Sequence, residues 1–162
     1  MPDKQNFNGN RGETRTNAIL AECFYVSERS VDIDGTDFIV EIPFDNFLEQ
    51  RKFKEQGFVQ AKYFEGRNEV KIAKDYVEDI DTLRTNFFAF LHTNNEHGEK
   101  VHYFFTSNQI KKEFRLRKDE KTLKDYFVFS LTKTRTFHKY KNVDEKIICR
   151  TIKDGILTTE EY

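Results

Sequence analysis

Two short segments alternate apolar and polar residues with the period of two that marks an extended strand. In residues 36–42, Phe38, Val40 and Ile42 fall on one face and Asp37 and Glu41 on the other, and Pro43 ends the run. In residues 57–64, Val59, Ala61 and Tyr63 alternate with Gln60 and Lys62. If the two strands are neighbours, two carboxylates, an amide and an ammonium converge on one side of a sheet whose other side is apolar. Residues 86–92 (NFFAFLH) are almost wholly apolar and predict a central strand covered on both faces. The polar turn 93–98 returns the chain into a partner strand at 100–106, and two more strands are predicted at 69–73 and 125–131. Helical spacing predicts helices from Gly12 to about Tyr25, over 75–84, from Gln109 to about Arg117 behind Ser107-Asn108, and over 143–157. Asp34-Gly35 marks a turn within 31–35, and 44–56 reads as a hairpin arm or a short amphipathic helix. The polar start predicts a flexible lead-in at 1–10, one domain over 11–141 and a C-terminal helix or tail at 142–162. This order predicts an α/β class, a mixed sheet flanked by helices.

A chain of 162 residues suits one domain, and its 17 Phe and 7 Tyr are enough to fill a core. No apolar run reaches the length of a membrane span, and the start lacks the basic-then-apolar layout of a secretory signal. Cys23 and Cys149 follow no metal or redox spacing, so the expectation is two reduced thiols in a cytoplasmic protein.

Charge changes the picture more than composition does. The net charge is −1, yet residues 111–141 hold 11 Lys/Arg against 4 Asp/Glu, a local excess of 7. Lys111, Lys112, Arg115, Arg117 and Lys118 interleave with Phe114 and Leu116, and Arg135, His138 and Lys139 extend the run. Such cations contact backbone phosphates without reading sequence. The same run also reads as a solvated basic helix face. His92, His97 and His102 lie on or near one predicted hairpin, with no Cys or carboxylate at ligand spacing, a poor zinc site.

The polar strand faces suit phosphodiester hydrolysis, which needs charge neutralisation and an activated water. A divalent cation supplies both, held by one or two carboxylates with carbonyls and waters. Asp37 is the natural anchor, Gln60 offers a neutral oxygen, and Lys62 is placed to orient water or meet developing negative charge. Glu41 lies about 13 Å along the strand from Asp37, at about 3.3 Å per residue, too far to share one ion directly.

Gly12-Glu13, then Asp34-Gly35-x-Asp37 opening an apolar strand, then Val59-Gln60-x-Lys62, resembles the PD-(D/E)xK nuclease superfamily. Within it the pattern is most similar to the branch of the Mrr restriction endonucleases and related small bacterial domains, where Gln commonly takes the (D/E)xK position. The resemblance covers about residues 11–117, including His102 to Ile110, where a YFF strand precedes a helix. It implies a restriction-endonuclease-like fold, Mg²⁺ (or Mn²⁺) as cofactor, and DNA as substrate. It further implies Asp37 as main metal ligand, Gln60 as the second strand position, Lys62 as catalytic lysine and Glu13 as the helix carboxylate. The chain departs from the superfamily pattern in having Thr36 before Asp37 and Gln60 in place of a carboxylate. The function expected is an endonuclease or nickase, a homodimer if both strands are cut. The alternatives are a catalytically inactive nucleic-acid-binding module on the same fold, or a subunit of a larger defence assembly.

Overall fold

The computed structural model describes residues 4–28, 36–43, 56–66, 68–131 and 137–158, with backbone alone for 4–6. The predicted turn at 31–35, the amphipathic stretch 44–55 and Arg135 lie outside the described residues. The chain begins with helix α1 (Lys4–Leu20), so residues 4–10, expected to be a lead-in, are helical. Its polar first turns are held by side chains: the Arg11 guanidinium lies 4.5 Å over the Phe7 ring and donates to the Tyr63 hydroxyl at 3.2 Å.

Five strands form the main sheet: β1 (Tyr25–Glu28), β2 (Phe38–Glu41), β3 (Gln56–Tyr63), β7 (Phe87–Asn94) and β8 (Lys100–Thr106). They lie in the order β1-β2-β3-β7-β8. β2 runs antiparallel to β1 and β3, β3 pairs parallel with β7, and β8 returns antiparallel. The sheet is therefore mixed, as the pattern predicts. β7 is central and buried from Phe87 to Thr93 because both of its faces meet a core. Phe88 and Phe90 pack with Phe38, Val40 and Val59 under α1 and α4 (Glu145–Thr158), while Phe87, Ala89 and Leu91 face the opposite cluster.

That second face is covered mainly by strands rather than helices. β4 (Val70–Ala73), β10 (Asp125–Phe129) and β9 (Arg115–Lys118) form a three-stranded sheet in the order β4-β10-β9. Two expected helices are shortened. The segment 75–84 gives one turn, α2 (Lys74–Val77), then a hairpin of β5 (Glu78–Asp79) and β6 (Thr82–Leu83). Glu78 is buried and ion-paired to Lys111 at 2.7 Å and Lys74 at 3.3 Å, and the turn places Ile80 and Asp81 at positive φ, which no helix continues. Helix α3 (Ser107–Glu113) is capped by Thr106, whose side chain accepts from the Gln109 N–H while Gln109 Oε1 accepts from the Thr106 N–H. It stops at Phe114, whose ring is buried edge-on against Phe105 and whose extended backbone feeds β9. The end of the predicted basic helix, from Arg115 on, is thus an edge strand.

The thiols also differ from expectation. Cys23, just after α1, and Cys149 in α4 form a disulfide with Cα atoms 6.3 Å apart. No helix among the described residues is long and apolar enough to cross a membrane.

Candidate functional site

Strands β2 and β3 are neighbours, and their last paired rung is Phe38–Val59. One step beyond it Asp37 lies across from Gln60. The Asp37 N–H donates to the Val59 carbonyl at 3.0 Å, and Asp37 Oδ2 accepts from the Ala61 N–H at 2.7 Å. A charged carboxylate on a backbone amide is a strong, short bond, so Asp37 is fixed where β2 enters the sheet. At the other end of the same face Gln56 donates to Glu41 at 2.8 Å. Glu41 is therefore occupied far from Asp37, as the strand rise predicts.

Gln60 is 5 % exposed, and its Oε1 has no hydrogen-bond partner among the described residues. A buried acceptor left unpaired costs about 1–3 kcal/mol, so it is an uncommon feature that asks for a donor or a cation. Lys62 shares the face of Gln60 two residues on and is half-buried. It forms no ion pair with a described residue.

Helix α1 brings the fourth residue. Arg15 donates to the Thr93 carbonyl at 2.9 Å and to Asn94 Oδ1 at 2.7 Å, tying the helix to the end of β7. Gly12 lies against β3, where a Cβ would come within 3.1 Å of the Lys62 carbonyl carbon. That close approach sets Glu13 near Asp37. Burial, then the Asp37 charge and then that of Glu28, push the Glu13 carboxyl above its ordinary value. Two carboxylates, an orphaned amide oxygen and a lysine are therefore gathered around one end of β2–β3. Among the described residues no group of three His, Cys, Asp or Glu side chains could hold a metal, and the oxygen donors the site offers there are Asp37, Glu13 and Gln60.

Three of the predicted phosphate contacts, Lys111, Arg117 and Lys139, are engaged within the molecule. Lys111 pairs with buried Glu78, and Arg117 holds Glu69 at 2.8 Å. Lys139 reaches Glu113 at 3.3 Å, and that carboxyl, which also accepts from the Tyr140 hydroxyl, is held below its ordinary value by the Tyr140 bond first and Lys139 next. Lys112, Arg115 and Lys118 remain exposed, and so does His138.

Sequence reasoning did not single out Lys71, Arg84, Lys124 or Tyr126, which line a cleft of about 510 Å³ over Gln60 and Lys62. Lys71 and Arg84 belong to no motif, Lys124 and Tyr126 lie at the end of the basic stretch, and only the packing of β4 and β10 over β3 gathers the four. The histidines serve structure. His92 is buried, takes a 2.7 Å hydrogen bond with the Thr16 hydroxyl, and is pushed down to about 3 by burial, helped by His102 and Arg15. His102 Nε2 meets the Val143 carbonyl at 3.0 Å, and His97 is exposed in the turn.

No known family, curated protein or solved structure matches the chain.

Proposed function

We propose that this chain is a metal-dependent nuclease of restriction-endonuclease-like fold that hydrolyses DNA phosphodiesters at the Asp37–Gln60–Lys62–Glu13 site. The observation that carries the reading is the orphaned, buried Oε1 of Gln60 beside Lys62, with Asp37 anchored across from Gln60 on the neighbouring strand. The donor set fits Mg²⁺ or Mn²⁺: both prefer oxygen, and Asp37, Glu13 and Gln60 offer two carboxylates and an amide carbonyl. Such an ion supplies charge neutralisation and a water acidic enough to attack at neutral pH.

The chain's own residues do the rest. Asp37 is held in place where β2 enters the sheet by the Ala61 N–H, which donates to its Oδ2 at 2.7 Å, and it would be the main carboxylate holding the ion. Glu13, whose carboxyl is pushed above its ordinary value by burial first and the Asp37 charge next, would supply the second carboxylate to such an ion. The Lys62 ammonium, unpaired within the described residues, stabilises the charge that builds on the phosphoryl oxygens or orients the attacking water.

A plasmid-nicking assay with Mg²⁺ or Mn²⁺ tests this. Cleavage by the wild type that EDTA abolishes, and that Lys62→Ala or Asp37→Ala reduces by at least about a hundredfold, is the expected outcome. A second reading is favoured by Gln60 standing where a carboxylate would add negative charge: a nucleic-acid-binding module without turnover. Salt-sensitive DNA binding that survives both substitutions, with no cleavage in either metal, selects it.

A further inference from the structure

The cleft over Gln60 and Lys62 has its own chemistry. Four cations, Lys62, Lys71, Arg84 and Lys124, stand in it against two carboxylates, Asp75 and Asp125. Lys71 is drawn toward Asp119 at 3.9 Å, whereas Arg84 and Lys124 are exposed and form no ion pair with a described residue. Lys111, Arg117 and Lys139, by contrast, already hold carboxylates. Tyr126 adds a half-buried aromatic ring to the wall, and the floor carries the unpaired, buried Gln60 Oε1. Unneutralised cations beside an aromatic face are the means by which proteins hold single-stranded nucleic acid. The volume, about 510 Å³, is that of a site enclosing one small ligand, roughly 300–1,000 Å³. One nucleotide fits that class, and a base-paired duplex does not.

The geometry points to this cleft as a subsite for one nucleotide of an unpaired DNA strand, with Arg84 and Lys124 on its backbone phosphate and Tyr126 against its base. The identity of the ligand rests on the nuclease reading above; the existence of the cleft does not. The substrate is accordingly a strand with unpaired nucleotides, such as an overhang, flap or gap, in preference to a blunt duplex.

The test is fluorescence anisotropy in EDTA at low salt, where no cleavage interferes. A labelled single strand and the blunt duplex of the same sequence are titrated with wild type, the Arg84→Ala/Lys124→Ala variant and the Lys112→Ala/Arg115→Ala variant. The single strand should bind at least about tenfold tighter than the duplex. Arg84→Ala/Lys124→Ala should weaken it about tenfold or more and lower the slope of log K against log salt by about 0.7, the value for one phosphate contact on a single strand. Both residues are exposed, so an unchanged melting temperature excludes misfolding. Equal or tighter duplex binding overturns the proposal, as does a larger loss from Lys112→Ala/Arg115→Ala. Competition by a nucleoside monophosphate at the concentration effective for the strand would assign the cleft to a free nucleotide and also overturn it. Cleavage of duplex plasmid without single-strand preference leaves the nuclease reading standing and removes this one; single-strand preference without cleavage does the reverse.

Discussion

Thr16 and His92 are 76 residues apart and share a buried 2.7 Å hydrogen bond, and this pair gives the protein a specific acid sensitivity. The folded His92 has its pKa lowered to about 3, against an ordinary 6.5. Above pH 6.5 it is neutral in both states and contributes no pH dependence. Below that, the unfolded chain binds a proton that the folded chain refuses, so stability falls by about 1.4 kcal/mol per pH unit. Ordinary carboxylates titrate lower, so between pH 6.5 and 5 the loss, roughly 2 kcal/mol, belongs mainly to His92. Urea midpoints at those two pH values should converge in His92→Gln, and a variant as acid-sensitive as wild type would refute the assignment. Glu13 has the opposite sign. Its raised carboxyl favours the folded state below the ordinary pKa and loses that advantage as pH rises through the folded value. Glu13→Gln should therefore melt higher than wild type at pH 7 while losing metal-dependent cleavage. A lower melting temperature would mean that burial and the Asp37 charge together do not burden the ionised Glu13 carboxyl. Of these residues, Asp37, Gln60 and Lys62 were legible from alternation alone. The burial of His92 was not, because one strand does not reveal what helix lies on it.

At the scale of elements, the contact that places Glu13 is α1 on β3. A Cβ on Gly12 would meet the Lys62–Tyr63 backbone at 3.1–3.3 Å, and backbone yields little, whereas Gly9 has nothing within 4 Å. Both glycines lie in the same helix. Gly9→Ala should stabilise by up to about 1 kcal/mol through helix propensity. Gly12→Ala has the same propensity gain but overpacks, and a net loss of about 1–2 kcal/mol is expected by thermal melting. A rise at both positions would show that α1 rides freely on the sheet and does not fix Glu13. The elements themselves were unevenly legible. Long aromatic runs such as 86–92 announce a strand wherever they occur, and β7 and β8 follow them closely. The segments 75–84 and 109–117 carry helical periodicity, yet each yields a short helix followed by strand. Buried partners distant in sequence, Glu78 with Lys111 and Phe114 with Phe105, outweigh the weak local preference.

For the whole molecule, the Cys23–Cys149 disulfide closes a separation of 126 residues between the turn after α1 and α4. In the chain-entropy account a loop of that length is worth about 4–5 kcal/mol through restriction of the unfolded chain. Cys23→Ser/Cys149→Ser should lower the melting temperature accordingly and abolish its sensitivity to reductant. A wild-type melt identical with and without reductant would show that the bond contributes nothing. The disulfide holds the two helices that cover one face of the main sheet, while the small sheet covers the other. The candidate site lies at the end of β2–β3, where α1 and the overhanging β4–β10 leave Lys62 reachable.

The sequence by itself determined what depends on neighbours along the chain: the two amphipathic strands, the buried central strand, the hairpin to β8, and the shared face of Gln60 and Lys62. Alternation carries that information because side chains two apart must point the same way. Only the tertiary structure decided what depends on contacts between distant segments. It brought Glu13 beside Asp37, left Gln60 Oε1 without a partner, paired Cys23 with Cys149, tied Lys111, Arg117 and Lys139 to carboxylates, and gathered Arg84 and Lys124 over Lys62. Charge counted along the chain placed the positive surface in 111–141. Charge counted after pairing withdraws Lys111, Arg117 and Lys139 from that surface, leaves Lys112, Arg115 and Lys118 on it, and adds Lys62 and Arg84 beside Lys124 in the cleft, because a cation that already holds a carboxylate has little left for a phosphate.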